Sequence, residues 1–240
     1  MPLVRISILL AIVLWGGLAG RAQSITPPLS ATRPTPRVFL LPTANAIGAG
    51  HGFLGDYELF ALYGGFGIGD IVSVTAGTTL VPMLNFGAQL STMQVKATFL
   101  QDEGIAFATG ASLSFITSAN RYTHLFLNGS LLVDSTWYTV AVYYRIGGPE
   151  MASVDVAPFG NFAFSYIGSL GIGLGAEIPI RNRPDMHVIA EIWNHDVSSP
   201  RHTAVMAGLR IGNEMLSGSF GLMFTPVPFV FPVASFAYEW

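Results

Sequence analysis

The chain carries no cysteine, which excludes disulfides and thiolate metal sites and leaves the redox compartment open. It is also short of charge. Asp, Glu, Lys and Arg make up 10% of the 240 residues, against a usual share of about 25%, and a soluble protein of this size has difficulty covering its surface with so few. Long apolar runs are missing too. Mean hydropathy is +0.52, yet only the stretch from Ile6 to Leu18 approaches a spanning helix, and its 13 residues fall short of the roughly 18 required. There is no basic excess: the net charge of −3 supplies no patch for nucleic acid, and that class is set aside. The His, Asp and Glu spacings are not diagnostic of a metal, and no cofactor is expected.

What is present is glycine (27 residues), aromatics (12%) and a hydrophobic share of 51%, dispersed in short alternating segments. The last twelve residues, FVFPVASFAYEW, show the pattern. Ala234, Phe236, Tyr238 and Trp240 share one strand face, and Val233, Ser235, Ala237 and Glu239 share the other, because side chains alternate along a strand. In SLGIGLGAEIPI, Leu170, Ile172, Leu174, Ala176, Ile178 and Ile180 oppose Gly171, Gly173, Gly175 and Glu177. In TWYTVAVYYRI, Tyr138, Val140, Val142, Tyr144 and Ile146 form the apolar face, with a tyrosine toward each end, as in an aromatic girdle around a lipid band. A soluble sandwich also alternates, but its outer face carries Lys, Glu, Thr and Arg. Here the less apolar face is Gly, Ala and Ser, which suits an enclosed interior.

The N-terminus, MPLVRISILLAIVLWGGLAGRAQS, has a basic start at Arg5, an apolar centre and small residues at Gly20 and Ala22, three and one positions before a cut after Ala22. Residues 1–22 are therefore expected to be a signal peptide. Residues 23–52, rich in Pro and Gly, are expected to be a leader or a plug in the barrel mouth, and 53–240 the barrel. Strands are expected at 57–68, 71–80, 92–101, 105–117, 121–133, 135–146, 169–180, 185–194, 202–213, 216–224 and 230–240. One more is expected within Val156–Ser165. Turn chemistry lies between them at Gly69-Asp70, Asp102-Glu103-Gly104, Asp134-Ser135, Arg181–Pro184 and Gly212-Asn213. The fold class is all-β: a single antiparallel transmembrane barrel of about twelve strands, within a range of 10 to 14.

These residues resemble an outer-membrane β-barrel of Gram-negative bacteria. The terminal Phe236, Tyr238 and Trp240 match the C-terminal assembly signal of those proteins, and the resemblance implies recognition by the outer-membrane assembly machinery, with outer-membrane lipid as surroundings. More narrowly, Pro42-Thr43-Ala44, the glycine-rich step Gly48–Gly52, Tyr57–Phe60 and the late strand Ala190–Trp193 are similar to a group of outer-membrane barrels to which no activity attaches.

On the strand registers, Lys96, Arg145, Glu177, Glu191, Arg210 and, less securely placed, Glu58 face the lumen. Three acids and three bases make either an interior salt-bridge and hydrogen-bond network or the mixed lining of a narrow pore. A strongly selective pore would show one dominant sign. The expected function is structural or small-solute permeation in the outer membrane, without catalysis. Two alternatives stay open. One is a lipid hydrolase using Ser and His near residues 191–202, where His195, Asp196, Ser198, Ser199 and His202 gather. The other is a secreted soluble β-barrel or sandwich that binds an apolar ligand.

Overall fold

The computed structural model describes residues 35–58, 61–80, 89–116, 120–156, 160–165, 168–213, 215–225 and 230–240. The signal-peptide segment and the leader as far as Pro34 lie outside the described residues. Fourteen strands follow in order: β1 Gly52–Tyr57, β2 Ala61–Ile68, β3 Val72–Thr79, β4 Leu90–Asp102, β5 Ile105–Ile116, β6 Asn120–Val133, β7 Thr136–Gly147, β8 Met151–Val156, β9 Gly160–Ser165, β10 Leu170–Ile180, β11 Arg183–Asn194, β12 Thr203–Gly212, β13 Leu216–Phe224 and β14 Val230–Glu239. A 3-10 turn at Pro200–His202 precedes β12.

Twelve strands close into one antiparallel barrel, in the order β1-β14-β13-β12-β11-β10-β7-β6-β5-β4-β3-β2. The seam is antiparallel, with Phe53 opposite Glu239 and Tyr57 opposite Ser235. Beyond it, Gly52 and Trp240 exchange both backbone bonds at 3.0 Å. Closure leaves no unpaired edge, as lipid requires of a sheet that crosses it.

The expected count of twelve holds, but two strands fall elsewhere. The twelfth barrel strand is not within Val156–Ser165. β8 and β9 form a separate two-stranded sheet, and β7 pairs directly with β10. At six residues each, β8 and β9 are shorter than the roughly nine to eleven needed to span a membrane. The wall is completed instead by β1, which lies almost wholly before the first expected strand, 57–68. The link between them offers no Gly, Pro, Asn or Asp to mark a turn, and Glu58 itself takes the left-handed conformation, at φ 56°.

The barrel ends are unlike. At one, the links are short: 69–71, 103–104, 134–135, 181–182 and 213–215. Asp134, Ser135 and Asn182 there adopt positive φ, as tight hairpin turns require. Gly52 and Trp240 lie at this turn end. The other, the loop end, has short links at 58–60 and 117–119 and also carries the long ones: 80–89, 195–202 and the β8–β9 excursion between β7 and β10.

The outward face is apolar on every side. Leu54 (57% exposed), Phe66, Val95, Leu127, Val142, Leu174, Leu209 and Phe220 are all exposed on it. Tyr138 and Tyr144 flank β7's apolar row outward, and Phe236, Tyr238 and Trp240 do the same on β14, where Tyr238 and Trp240 stack at 5.9 Å. An apolar belt of this extent, bounded by aromatics, is a lipid-facing surface. Leu170 and Leu174 point out from a closed cylinder rather than lying between two stacked sheets. The chain is a transmembrane β-barrel.

Candidate functional site: the barrel lumen

The buried apolar cluster of this barrel lies inside it and is supplied partly by residues upstream of β1. Val38 and Phe39 pack against the inward Ile189, Met206 and Val233, and Ala44 packs against Ala106 and Ala108. Pro36–Thr43 forms a small hairpin. Val38 N–H donates to Leu41 C=O at 2.9 Å, Thr43 N–H donates to Pro36 C=O at 3.0 Å, and Arg37 bridges to Pro42. The chain then runs along the wall through Ala44–Gly50 to β1.

Inward polar side chains bond to the backbone of this segment. Glu191, 1% exposed, accepts three consecutive N–H groups. Its Oε1 takes those of Phe39 and, at 2.9 Å, Leu41, and its Oε2 takes that of Leu40 at 3.1 Å. Lys96, 4% exposed, donates through Nζ to the carbonyls of Thr43 (2.6 Å) and Asn45 (2.7 Å). Arg210 donates to Glu177 Oε2 and to Thr35 Oγ1, both at 2.8 Å, and to the carbonyls of Arg37 and Val38. Glu177 also holds His187 Nδ1 at 2.7 Å. Neutral groups complete the set. Asn128 donates to Pro42 C=O and Thr98 to Ala44 C=O, while Ser130 accepts Ala44 N–H and Ser73 accepts Ile47 N–H. Among the described residues, no base lies within ion-pair distance of Glu191 and no acid within that distance of Lys96. Buried charge in a low dielectric needs compensation, and here aligned peptide dipoles supply it.

Shape follows the same division. A Cβ at Gly173 would stand 2.5 Å from Leu41 Cδ1, and one at Gly175 would stand 2.9 Å from Val38 Cγ2. At Gly67, a Cβ would run into the carbonyl of Gly48. The small inward residues are the recesses into which the N-terminal segment fits. An aromatic column supports the hairpin tip: Phe39 lies 5.2 Å from Tyr57, which stacks on Tyr63 at 4.3 Å, and Tyr57 Oη donates to Phe39 C=O.

Of the six charged residues assigned to the lumen, Lys96, Glu177, Glu191 and Arg210 converge on this segment. Arg145 lies toward the loop end of β7, half-buried, and donates to Pro149 C=O at 3.0 Å. Glu58 does not line the lumen. It sits in the β1–β2 turn, exposed, and its Oε1 accepts Ala234 N–H at 2.6 Å, because the turn breaks the strand register that would have pointed it inward. Sequence reading did not find Thr35, Phe39, Tyr57 or His187 as partners. For Thr35 and Phe39 the only signal was the density of Pro and Gly around 34–52.

In the 195–202 loop the rings of His195 and His202 stack at 4.5 Å, and Asp196 Oδ2 lies 3.7 Å from His202 Nδ1. Ser198 Oγ donates to Asp196 Oδ1 at 2.6 Å, so the hydroxyl is directed to the acid, the reverse of a serine activated by a histidine base. That bond, ahead of His202 and His195, holds Asp196 below the usual carboxylate range. Burial, ahead of His202, pushes His195 down.

No family model matches the chain, and no curated protein does. Solved structures do. The KdgM porin superposes with a TM-score of 0.50 at 10% identity, over 79% of this chain and 96% of that one. The KdgM porin in complex with disordered oligogalacturonate gives 0.48 at 10%, over 79% and 95%. A mutant Rh. blastica porin gives 0.39 at 10%, over 75% of this chain and 55% of the other. At such identity the likeness is one of architecture: the closed antiparallel barrel of the first of these porins is the fold this chain shares.

Proposed function

We propose that the protein is a non-catalytic outer-membrane barrel that passes small solutes, and that its resting lumen is narrowed by its own Thr35–Gly50 segment acting as a plug. The observation that carries this reading is the set of bonds that Lys96, Glu191 and Arg210 make from opposite walls to one backbone crossing the lumen. A purely structural barrel has no need to dedicate its few buried charges to a segment that is not part of its wall. The asymmetry of the ends fits short periplasmic turns and longer outer loops, and Phe236, Tyr238 and Trp240 would serve recognition by the assembly machinery. The hydrolase reading draws no support from a Ser198 hydroxyl that donates to Asp196.

The chain's lack of cysteine allows a direct test. A Cβ at Gly175 stands 3.3 Å from Val38 Cβ, close to the spacing of about 3.5–4.5 Å that a disulfide spans. The pair Val38→Cys and Gly175→Cys, refolded into planar bilayers, should conduct when reduced and fall to baseline when oxidised. Equal conductance in both redox states, with the cross-link confirmed on a gel, would overturn the plug.

A further inference from the structure

The plug is held in two different ways. Along Ala44–Gly50 the contacts are spread over several partners and none depends on Glu191: Ala44 is enclosed by Ala106 and Ala108, Asn45 C=O accepts from Lys96, Gly48 abuts Gly67, and Ala49 bridges to Gly67 and donates its N–H to Asp70. The Pro36–Thr43 hairpin closes on itself through its own backbone bonds; Tyr57 takes the ring and the carbonyl of Phe39 at its tip, and the tip's N–H groups all go to one side chain. Three N–H groups in succession, of Phe39, Leu40 and Leu41, converge on the Glu191 carboxylate. This requires acceptors at both oxygens, which only the ionised form offers fully. A neutral carboxyl or an amide would set a donor against one of the three N–H groups.

We infer that Glu191 is a charge latch: ionised, it holds the hairpin in the lumen, and loss of its charge frees Pro36–Thr43 to swing about the anchored Ala44–Gly50 stretch. The inference rests on the lumen being the solute path. Release then exposes Glu191 and Arg210 to water and clears the β10–β12 side of the lumen. The groups around the latch are Arg37 on the hairpin, Arg210 on β12, Glu177 on β10, His187 on β11 and Tyr57 on β1. Glu177 is the nearest rival for an acid effect, because it pairs with Arg210 and His187. Its loss still leaves Arg210 bonded to the carbonyls of Arg37 and Val38, so it loosens the hairpin base without touching the three N–H bonds at the tip.

The test uses the full chain in lipid vesicles with Val38→Cys as reporter, since Val38 is buried at 1% exposure and the chain has no other thiol. A pyridyl disulfide reads its accessibility at neutral and acid pH. With Glu191→Gln added, labelling at neutral pH should quicken about tenfold or more, as expected when hydrogen bonds to a charged acceptor are lost. Glu177→Gln should change it far less. The reporter without a second substitution should quicken only on acidification. Unchanged labelling in Glu191→Gln, or an equal effect of Glu177→Gln, overturns the latch. If Glu191→Gln fails to fold, as judged by loss of its heat-dependent gel shift, the acid titration of the reporter decides alone: no quickening overturns the latch. Conductance is read in parallel. Faster labelling with flat conductance supports the latch and removes the permeation reading, whereas raised conductance with a protected Val38→Cys overturns the latch and leaves permeation standing.

Discussion

The two faces of this barrel wall are made by the same strands and obey different rules. On β10 the outward residues Leu170, Leu174 and Ile178 are exposed, so any apolar side chain of similar size satisfies lipid there. One residue away, Gly173, Gly175 and Glu177 each answer to a particular atom of the N-terminal segment. The outer face is specified by class and the inner face by fit. A substitution that changes polarity should therefore act mainly outside, and one that changes shape by a single carbon should act mainly inside.

The largest expected effect is on the outer face. Leu174→Arg places a cation in the middle of β10's lipid-facing row. It should destabilise the barrel by about 2–4 kcal/mol, the cost measured for Arg or Lys near a bilayer midplane, read from denaturant unfolding in vesicles. Leu174→Ile should be near neutral. If both behave alike, the outward row does not touch hydrocarbon.

On the inner face, Gly175→Val should cost about 1–3 kcal/mol through overpacking against Val38 and Leu41, and Ala176→Val, one residue along, should cost much less. The same unfolding experiment compares them. A reversed order would mean that the glycines do not serve as recesses.

The contrast also explains what could be read from the chain alone. The outer face is a matter of period two and residue class, and both survive in sequence, so the strands from β3 to β7 and from β10 to β14 fell close to their observed places. Exceptions came where two regular signals misled. The expected strand 57–68 starts in a link with no turn residue, so Glu58 was carried inward with β2 and β1 was left out. Val156–Ser165 alternates well enough to be a strand, but only Gly160–Ser165 of it is β9, too short to span. The inner face was legible as far as direction. The same period sets Lys96, Glu177, Glu191 and Arg210 opposite the lipid, and three acids with three bases invite pairing with one another. Only Glu177 and Arg210 pair in that way. Lys96 and Glu191 bond to peptide groups, which every residue carries and which no composition reveals.

Smaller effects separate the anchors of the N-terminal segment from one another. Ser130→Ala removes the acceptor of Ala44 N–H and a bond with Thr139 at 3.0 Å. It should cost about 0.5–1.5 kcal/mol, and its outward neighbour Leu131→Val should cost less. Hydrogen exchange at Ala44 is the sharper readout: the amide should exchange faster in Ser130→Ala and stay as in the natural chain in Leu131→Val.

The smallest effect belongs to neither face and so serves as the control. The 195–202 loop lies beyond the rim, and its two shifted groups act in the same direction. Asp196 is held low, so its contribution to loop order is present above the ordinary carboxylate pKa and lost as pH falls through its depressed value. His195 is also held low. Its neutral form belongs to the folded loop, so the contribution is present above the ordinary imidazole range and lost as acid protonates it. Acid should loosen this loop on both counts. Ser198→Ala deletes the first cause of the Asp196 shift, so the acid midpoint for exchange at Ser198 N–H, itself bonded to Asp196 Oδ1 at 3.1 Å, should move to higher pH. Exchange in β10 and β11 should not follow, because neither lipid contact nor the fit of the N-terminal segment depends on that hydroxyl. A midpoint that stays put would show that Ser198 does not govern Asp196. A shift that spreads into β11 would mean that the rim and the lumen titrate as one unit.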